Sequence, residues 1–221
     1  MKFYTQFIRS FRDLPGYHSL LIHSLVGCNF SCFSCHNYEE LVLKKDLQQF
    51  YSPEDIVSHL KQNGYFFDAL IFSGGEFLLE NSDEIIAFLS EVKSVFKGVI
   101  IINTNGSFPE KIKLLIGSNL VDGFHVDLKL PYHLLDIKDD LDIYKRVLGI
   151  NPTESFIEKL ISSIEIVIQH NSPYSKIRTV KYPILSDEFF IENQKFIAKL
   201  NQKYNSNVVY TVNEFLDINE N

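Results

Sequence analysis

The chain has 221 residues, 45% hydrophobic and 22% charged, the balance of an ordinary folded protein, and its length suits one domain over 1–221. A formal net charge of −7 and a pI near 5.5 repel phosphate backbones, and no run of Lys and Arg makes a local exception, so nucleic acid is not an expected partner. No stretch reaches the roughly 18 apolar residues that span a bilayer, and the start MKFYTQFIRSFRDLPG lacks the apolar core of a signal peptide, so no membrane partner and a cytoplasmic location are expected.

In chain order, β-branched and aromatic runs predict six strands, and the stretches between them carry helical spacing. SLLIHSLV over 19–26 is the first strand. Ser52 ahead of Pro53, with Asp55 at the third position, marks a helix start. ALIFS over 69–73 is the second strand, and Ser82 before Asp83 and Glu84 opens the next helix. GVIIINT over 98–104 and GFHVDLK over 123–129 follow. The stretch 130–152 is the longest irregular one and reads either as a lid over a site or as a solvated excursion. Thr153 before Glu154 starts a helix over 153–169, where Phe156, Leu160, Ile161, Ile164, Val167 and Ile168 form one apolar face that should cover a sheet. SKIRTVKY over 175–182, a helix opened by Ser186, and NVVYTV over 207–212 complete the chain. Strands alternating with helices imply parallel pairing through right-handed crossovers. The expected fold is therefore α/β, a partial (βα)6 barrel of parallel strands, with an open doubly wound sheet as the alternative.

The three cysteines of the chain lie together in Gly27-Cys28-Asn29-Phe30-Ser31-Cys32-Phe33-Ser34-Cys35-His36-Asn37, directly after the first strand. An odd, clustered number argues against disulfides and for metal or redox chemistry in a reducing compartment. Thiolates at C-x3-C-x2-C can bind three irons of a 4Fe-4S cubane, and without a fourth cysteine the last iron is open to a ligand. Two other readings compete. A zinc site completed by His36 would need adjacent residues, Cys35 and His36, to converge on one ion, and buried structural thiols would have no reason to cluster.

With this motif the chain resembles the radical S-adenosylmethionine (SAM) superfamily. Its Cys-His-Asn ending resembles the branch that activates glycyl radical enzymes, including the activases of pyruvate formate-lyase and of anaerobic ribonucleotide reductase. The likeness continues through FRDLPG ahead of the first strand, Phe72-Ser73-Gly74-Gly75-Glu76 after the second and Asn103-Thr104-Asn105-Gly106 at the third. Val126-Asp127-Leu128-Lys129 at the fourth and Lys176-Ile177-Arg178-Thr179-Val180 at the fifth extend it over about 10–190. The resemblance implies a radical SAM fold and an anaerobic enzyme whose Cys28, Cys32 and Cys35 hold a 4Fe-4S cluster. The open iron would take the amino and carboxylate groups of SAM, and reductive cleavage would give a 5′-deoxyadenosyl radical that abstracts hydrogen from a glycine of a partner glycyl radical enzyme. Flavodoxin or ferredoxin would supply the electron. A radical SAM enzyme acting on a small molecule and a non-catalytic metal-binding protein of the same fold are the alternatives.

The resemblance makes Gly74, Gly75, Glu76, Asn103, Asn105, Asp127, Lys129 and Arg178 candidate cofactor-binding residues. Gly74 and Gly75 leave the backbone bare for a ligand. Asp127 and Lys129 share a strand face, so Lys129 either meets SAM or forms a structural ion pair with Asp127. Arg178 should face the barrel interior and needs an anion there: a bound carboxylate, Asp127 or Glu76. Glu76 either fixes a loop or accepts from SAM. His36 and Asn37 are expected to order the cysteine loop, and His125, His133 and His170 to be ordinary histidines. The chain departs from the family pattern where Asn103 replaces a common Asp, removing a charge beside the SAM amino group or a bound monovalent cation. It also has no cysteines for an inserted ferredoxin-like domain, so a minimal form is expected.

Overall fold

A computed structural model describes residues 1–43 and 49–216. The domain expected over 1–221 is followed there without 44–48 and 217–221.

Alternation along the strands divides the apolar residues between two buried surfaces. Leu20 and Ile22, Leu70 and Phe72, Ile100 and Ile102, Phe124 and Val126, and Ile177 face one way, into a large core shared with the helices. Leu21, Ala69, Ile71 and Ile101 face the other way and close over Leu14 as a smaller inner core. Burial on both faces is the condition under which parallel strands are stable, and it explains the near-continuous apolar runs. Further along each strand the inner face changes character: His23, Ser73, Asn103, Asp127 and Arg178 replace the aliphatic residues at the C-terminal ends.

The strands are β1 Ile8–Ser10, β2 Ser19–Ser24, β3 Ala69–Gly74, β4 Val99–Thr104, β5 Gly123–Asp127, β6 Lys176–Lys181 and β7 Val209–Glu214. They hydrogen-bond in sequence order as a seven-stranded sheet that curls into a half-barrel. β2 through β7 are parallel, as expected from the six predicted strands. The sheet is nevertheless mixed, because β1 runs antiparallel to β2 with Ile8 opposite Leu21. At three residues, Ile-Arg-Ser, β1 is too short to display a period, so sequence patterning missed it.

The helices are α1 Pro53–Asn63, α2 Ser82–Val95, α3 Pro109–Ser118, α4 Leu141–Leu148, α5 Glu154–His170 and α6 Asp187–Tyr204. Ser52 and Asp55 cap α1 reciprocally, each side chain accepting the other's backbone N–H. Asn81, not Ser82, caps α2: its Oδ1 accepts from the backbone of Asp83 and Glu84. Thr153 caps α5 as expected, whereas Ser186 stands at the start of α6 with its hydroxyl on Glu188. The inward face of α5 is turned slightly from the predicted one: Ile157 and Ser163 are buried, while Phe156 and Ile161 are only half-buried. Ser163 is drawn inward by donating 2.6 Å to the carbonyl of Gly106.

The stretch 130–152 is neither a lid nor a solvated excursion. It contains α4, whose Tyr144, Val147 and Leu148 are fully buried. Its last turn supports the cysteine loop, with the Leu148 carbonyl accepting from the Ser31 N–H and that of Val147 from the Phe33 N–H, each at 3.0 Å. No helix among the described residues is long and apolar enough to cross a membrane.

Candidate active site

The C-terminal ends of β2 to β6 converge on one cleft. Ten of the residues singled out in the sequence line it: Cys28, Cys32, Cys35, Gly74, Gly75, Asn103, Asn105, Asp127, Lys129 and Arg178. Ser73 and Asn37 line it too; Ser73 Oγ accepts from Asn103 Nδ2 at 3.1 Å, and Asn37 Nδ2 donates 2.8 Å to the Gly74 carbonyl. Asn37 thereby ties the end of the cysteine loop to the end of β3. Gly75 makes the second tie: a Cβ there would run into the Gly27 carbonyl oxygen, the same oxygen that accepts the Glu76 N–H at 2.7 Å.

The same cleft carries a charged triad. Asp127 accepts from Lys129 Nζ at 2.9 Å and from Arg178 Nε at 2.6 Å, so the Asp127–Lys129 ion pair weighed from the sequence is formed. Burial opposes ionisation, yet the Arg178 guanidinium and the Lys129 ammonium hold the Asp127 carboxyl far below the usual carboxylate range. Two cations and one carboxylate leave one net positive charge on this wall. The cleft therefore favours an anionic occupant.

Glu76 does not line the cleft. Its carboxylate is buried beneath the wall, accepting from Thr104 Oγ1 at 2.9 Å, the Asn105 N–H at 2.6 Å and the Leu78 N–H at 3.2 Å. It ties the loop after β3 to the loop after β4. His125, read from the sequence as an ordinary histidine, is fully buried on the inner face of β5 with neither ring nitrogen partnered, and burial keeps it neutral. Asn29, inside the quoted cysteine motif, and Ser107, next to the one ending at Gly106, were given no role in the sequence reading; together they hold Asn105 in place.

The donor set fits an iron-sulfur cubane better than a single ion. All three thiols are free and line one cleft, yet among the described residues no three His, Cys, Asp or Glu side chains converge closely enough to hold one metal ion. A cubane presents separate irons at its corners, so its ligands need not meet at a point. His36 is exposed. The Asn103 Oδ1, buried in the cleft wall without a hydrogen-bond partner, is an acceptor awaiting a donor. Burial pushes the Cys32 thiol up to about 11 and raises that of Cys28, so metal loading must release protons.

Comparison with known proteins decides the family. The model of the radical SAM superfamily matches residues 22–197. The chain belongs to the radical SAM superfamily. Within it, the chain is 30% identical over 185 residues to a Methanocaldococcus jannaschii protein provisionally named a glycyl-radical enzyme activating enzyme, covering 82% of this chain and 68% of that one. This relative places the radical SAM chain in the activating branch. Among solved structures, the half-barrel is similar to native anSMEcpe with bound AdoMet (TM-score 0.55, 15% identity, 86% of this chain and 49% of that one). It is also similar to the same enzyme with AdoMet and the Kp18Cys peptide (TM-score 0.56, 17% identity, 90% and 51%). At that identity the likeness is one of fold, and the chain spans about half the length of those structures.

Proposed function

We propose that the chain cleaves SAM reductively at a 4Fe-4S cluster held by Cys28, Cys32 and Cys35, and that it does so to generate a glycyl radical on a partner enzyme of the anaerobic ribonucleotide reductase type. The carrying observation is the cleft itself, whose lining joins three free thiols with the Asp127–Lys129–Arg178 triad at the C-terminal ends of parallel strands. When bound, the cluster would supply the electron, drawn from a flavodoxin or ferredoxin, that breaks the sulfonium S–C5′ bond to give methionine and a 5′-deoxyadenosyl radical.

The chain's own residues hold and orient. Lys129 and Arg178 offer cations to the SAM carboxylate, and the unpartnered Asn103 Oδ1 is an acceptor for an N–H of its amino group. Asn103 does this without the charge an aspartate would bring, so a monovalent cation is not called for at this position. Gly74 and Gly75 leave a strip of backbone free of side chains beside the cysteines.

Among the described residues, an apolar hollow walled by Phe33, Tyr182 and Phe215 shares Cys32, Cys35 and Lys129 with the cleft. A protein loop laid in this hollow would lie beside Cys32, Cys35 and Lys129, which favours the activating reading over one with a small sealed-in substrate. Reduced, cluster-loaded protein mixed with SAM and an anaerobic ribonucleotide reductase is expected to produce the doublet EPR signal of a glycyl radical. SAM cleavage without that signal, but with consumption of a small molecule, would replace the partner reading.

A further inference from the structure

Asn105 has an unambiguous orientation. Its Oδ1 accepts from the backbone N–H of Ser107 at 3.0 Å, and because a backbone N–H can only donate, this contact identifies the oxygen end of the amide. Nδ2 therefore faces the other way, donating 2.8 Å to Asn29 Oδ1 and lying 3.9 Å from Cys28 Sγ. Asn29 donates in turn from Nδ2 to Ser107 Oγ at 3.0 Å, and that hydroxyl donates to Asn105 Oδ1, closing a ring of three side chains. Of the two N–H groups on Asn105 Nδ2, Asn29 uses one. The other is left for the sulfur.

Cys28 Sγ also receives the Phe30 N–H at 3.4 Å. Among the described residues no hydrogen bond reaches the sulfur of Cys32 or Cys35. The three ligand positions are therefore unequal.

We infer that Asn105 is a positioning residue that hydrogen-bonds the Cys28 ligand sulfur and so raises the reduction potential of the cluster bound there. The inference rests on the cluster reading given above. Reduction adds negative charge that the thiolates share, and an N–H aimed at one of them stabilises the reduced state more than the oxidised one; hydrogen bonds to the sulfurs are among the factors that set such potentials. Glu76 contributes one step away by fixing the Asn105 backbone N–H.

The test is an EPR-monitored redox titration, without SAM, of anaerobically reconstituted wild type and of the Asn105→Ala, Asn105→Asp and Ser107→Ala variants, each first assayed for iron and sulfide. Ser107→Ala opens the ring at the hydroxyl but keeps the Ser107 N–H on Asn105, and it should titrate with the wild type. Asn105→Ala should keep its cluster with a reduction equilibrium constant about tenfold smaller, which for one electron is about 59 mV lower. Asn105→Asp, which keeps the acceptor and loses the donor, should lie lower still. A fully loaded Asn105→Ala protein at the wild-type potential would overturn the inference, as would loss of the cluster from both Asn105 variants, which would make the residue's role structural. If Asn105→Ala alone loses it, the potential of Asn105→Asp decides. A wild type that takes up no cluster would overturn the proposed function and this inference with it.

Discussion

The Glu76 carboxylate is held where water does not reach it, and burial lifts it to about 7 even though three hydrogen bonds pull the other way. Because its folded value lies above its ordinary one, the native state keeps a proton that the unfolded chain releases. Its stabilising contribution is therefore complete below about pH 4.5 and lost as pH rises through about 7. Glu76→Gln removes that titration. In urea denaturation at pH 5.5 and pH 8, the wild type should lose stability relative to the variant at the higher pH; parallel changes would show that Glu76 does not titrate in this range. At this scale the sequence narrowed the partners without choosing among them. Period-two spacing put Asp127 and Lys129 on one face, left Asp127 as one of three anions open to Arg178 and loop fixing as one of two roles open to Glu76, and could not choose among them as the fold does.

At the scale of elements, α4 has the clearest mechanical role. Gly149 ends it at φ 68°, a left-handed conformation, and a Cβ there would run into the Ser31 carbonyl of the cysteine loop. Gly149→Ala is therefore expected to cost about 2 kcal/mol or more, through backbone strain and displacement of the Ser31 segment. Thermal denaturation should show the lower stability, and iron content after reconstitution should fall with it. An alanine variant with wild-type stability and loading would mean that α4 does not support the loop.

Of the six parallel strands, β2 to β5 were legible because they are buried on both faces, and the more exposed β6 and β7 because they are long enough to show β-branched and aromatic runs. The helix in 130–152 was not. Tyr144, Val147 and Leu148 are spaced for a helix face, but α4 has only eight residues, and its partner is the cysteine loop rather than the sheet. β1 failed for a related reason, being three residues that take their conformation from pairing with β2.

For the whole molecule, the half-barrel gathers at one rim the motifs that the sequence spaces from 28 to 178, so their common order along the chain foretold a common site. Two cores on either side of the sheet carry the fold, and the cysteine loop packs against the edge of the larger one, to which it contributes Phe30. Removing one thiol should therefore disable the site without unfolding the protein. The decisive measurement is the yield of 5′-deoxyadenosine and methionine from SAM and dithionite, using anaerobically reconstituted wild type and Cys32→Ala. The account predicts both products in equal amounts from the wild type, and neither product nor a full cluster from a folded Cys32→Ala protein. A cluster-loaded wild type that forms neither product, or a Cys32→Ala variant that still cleaves SAM, would contradict it.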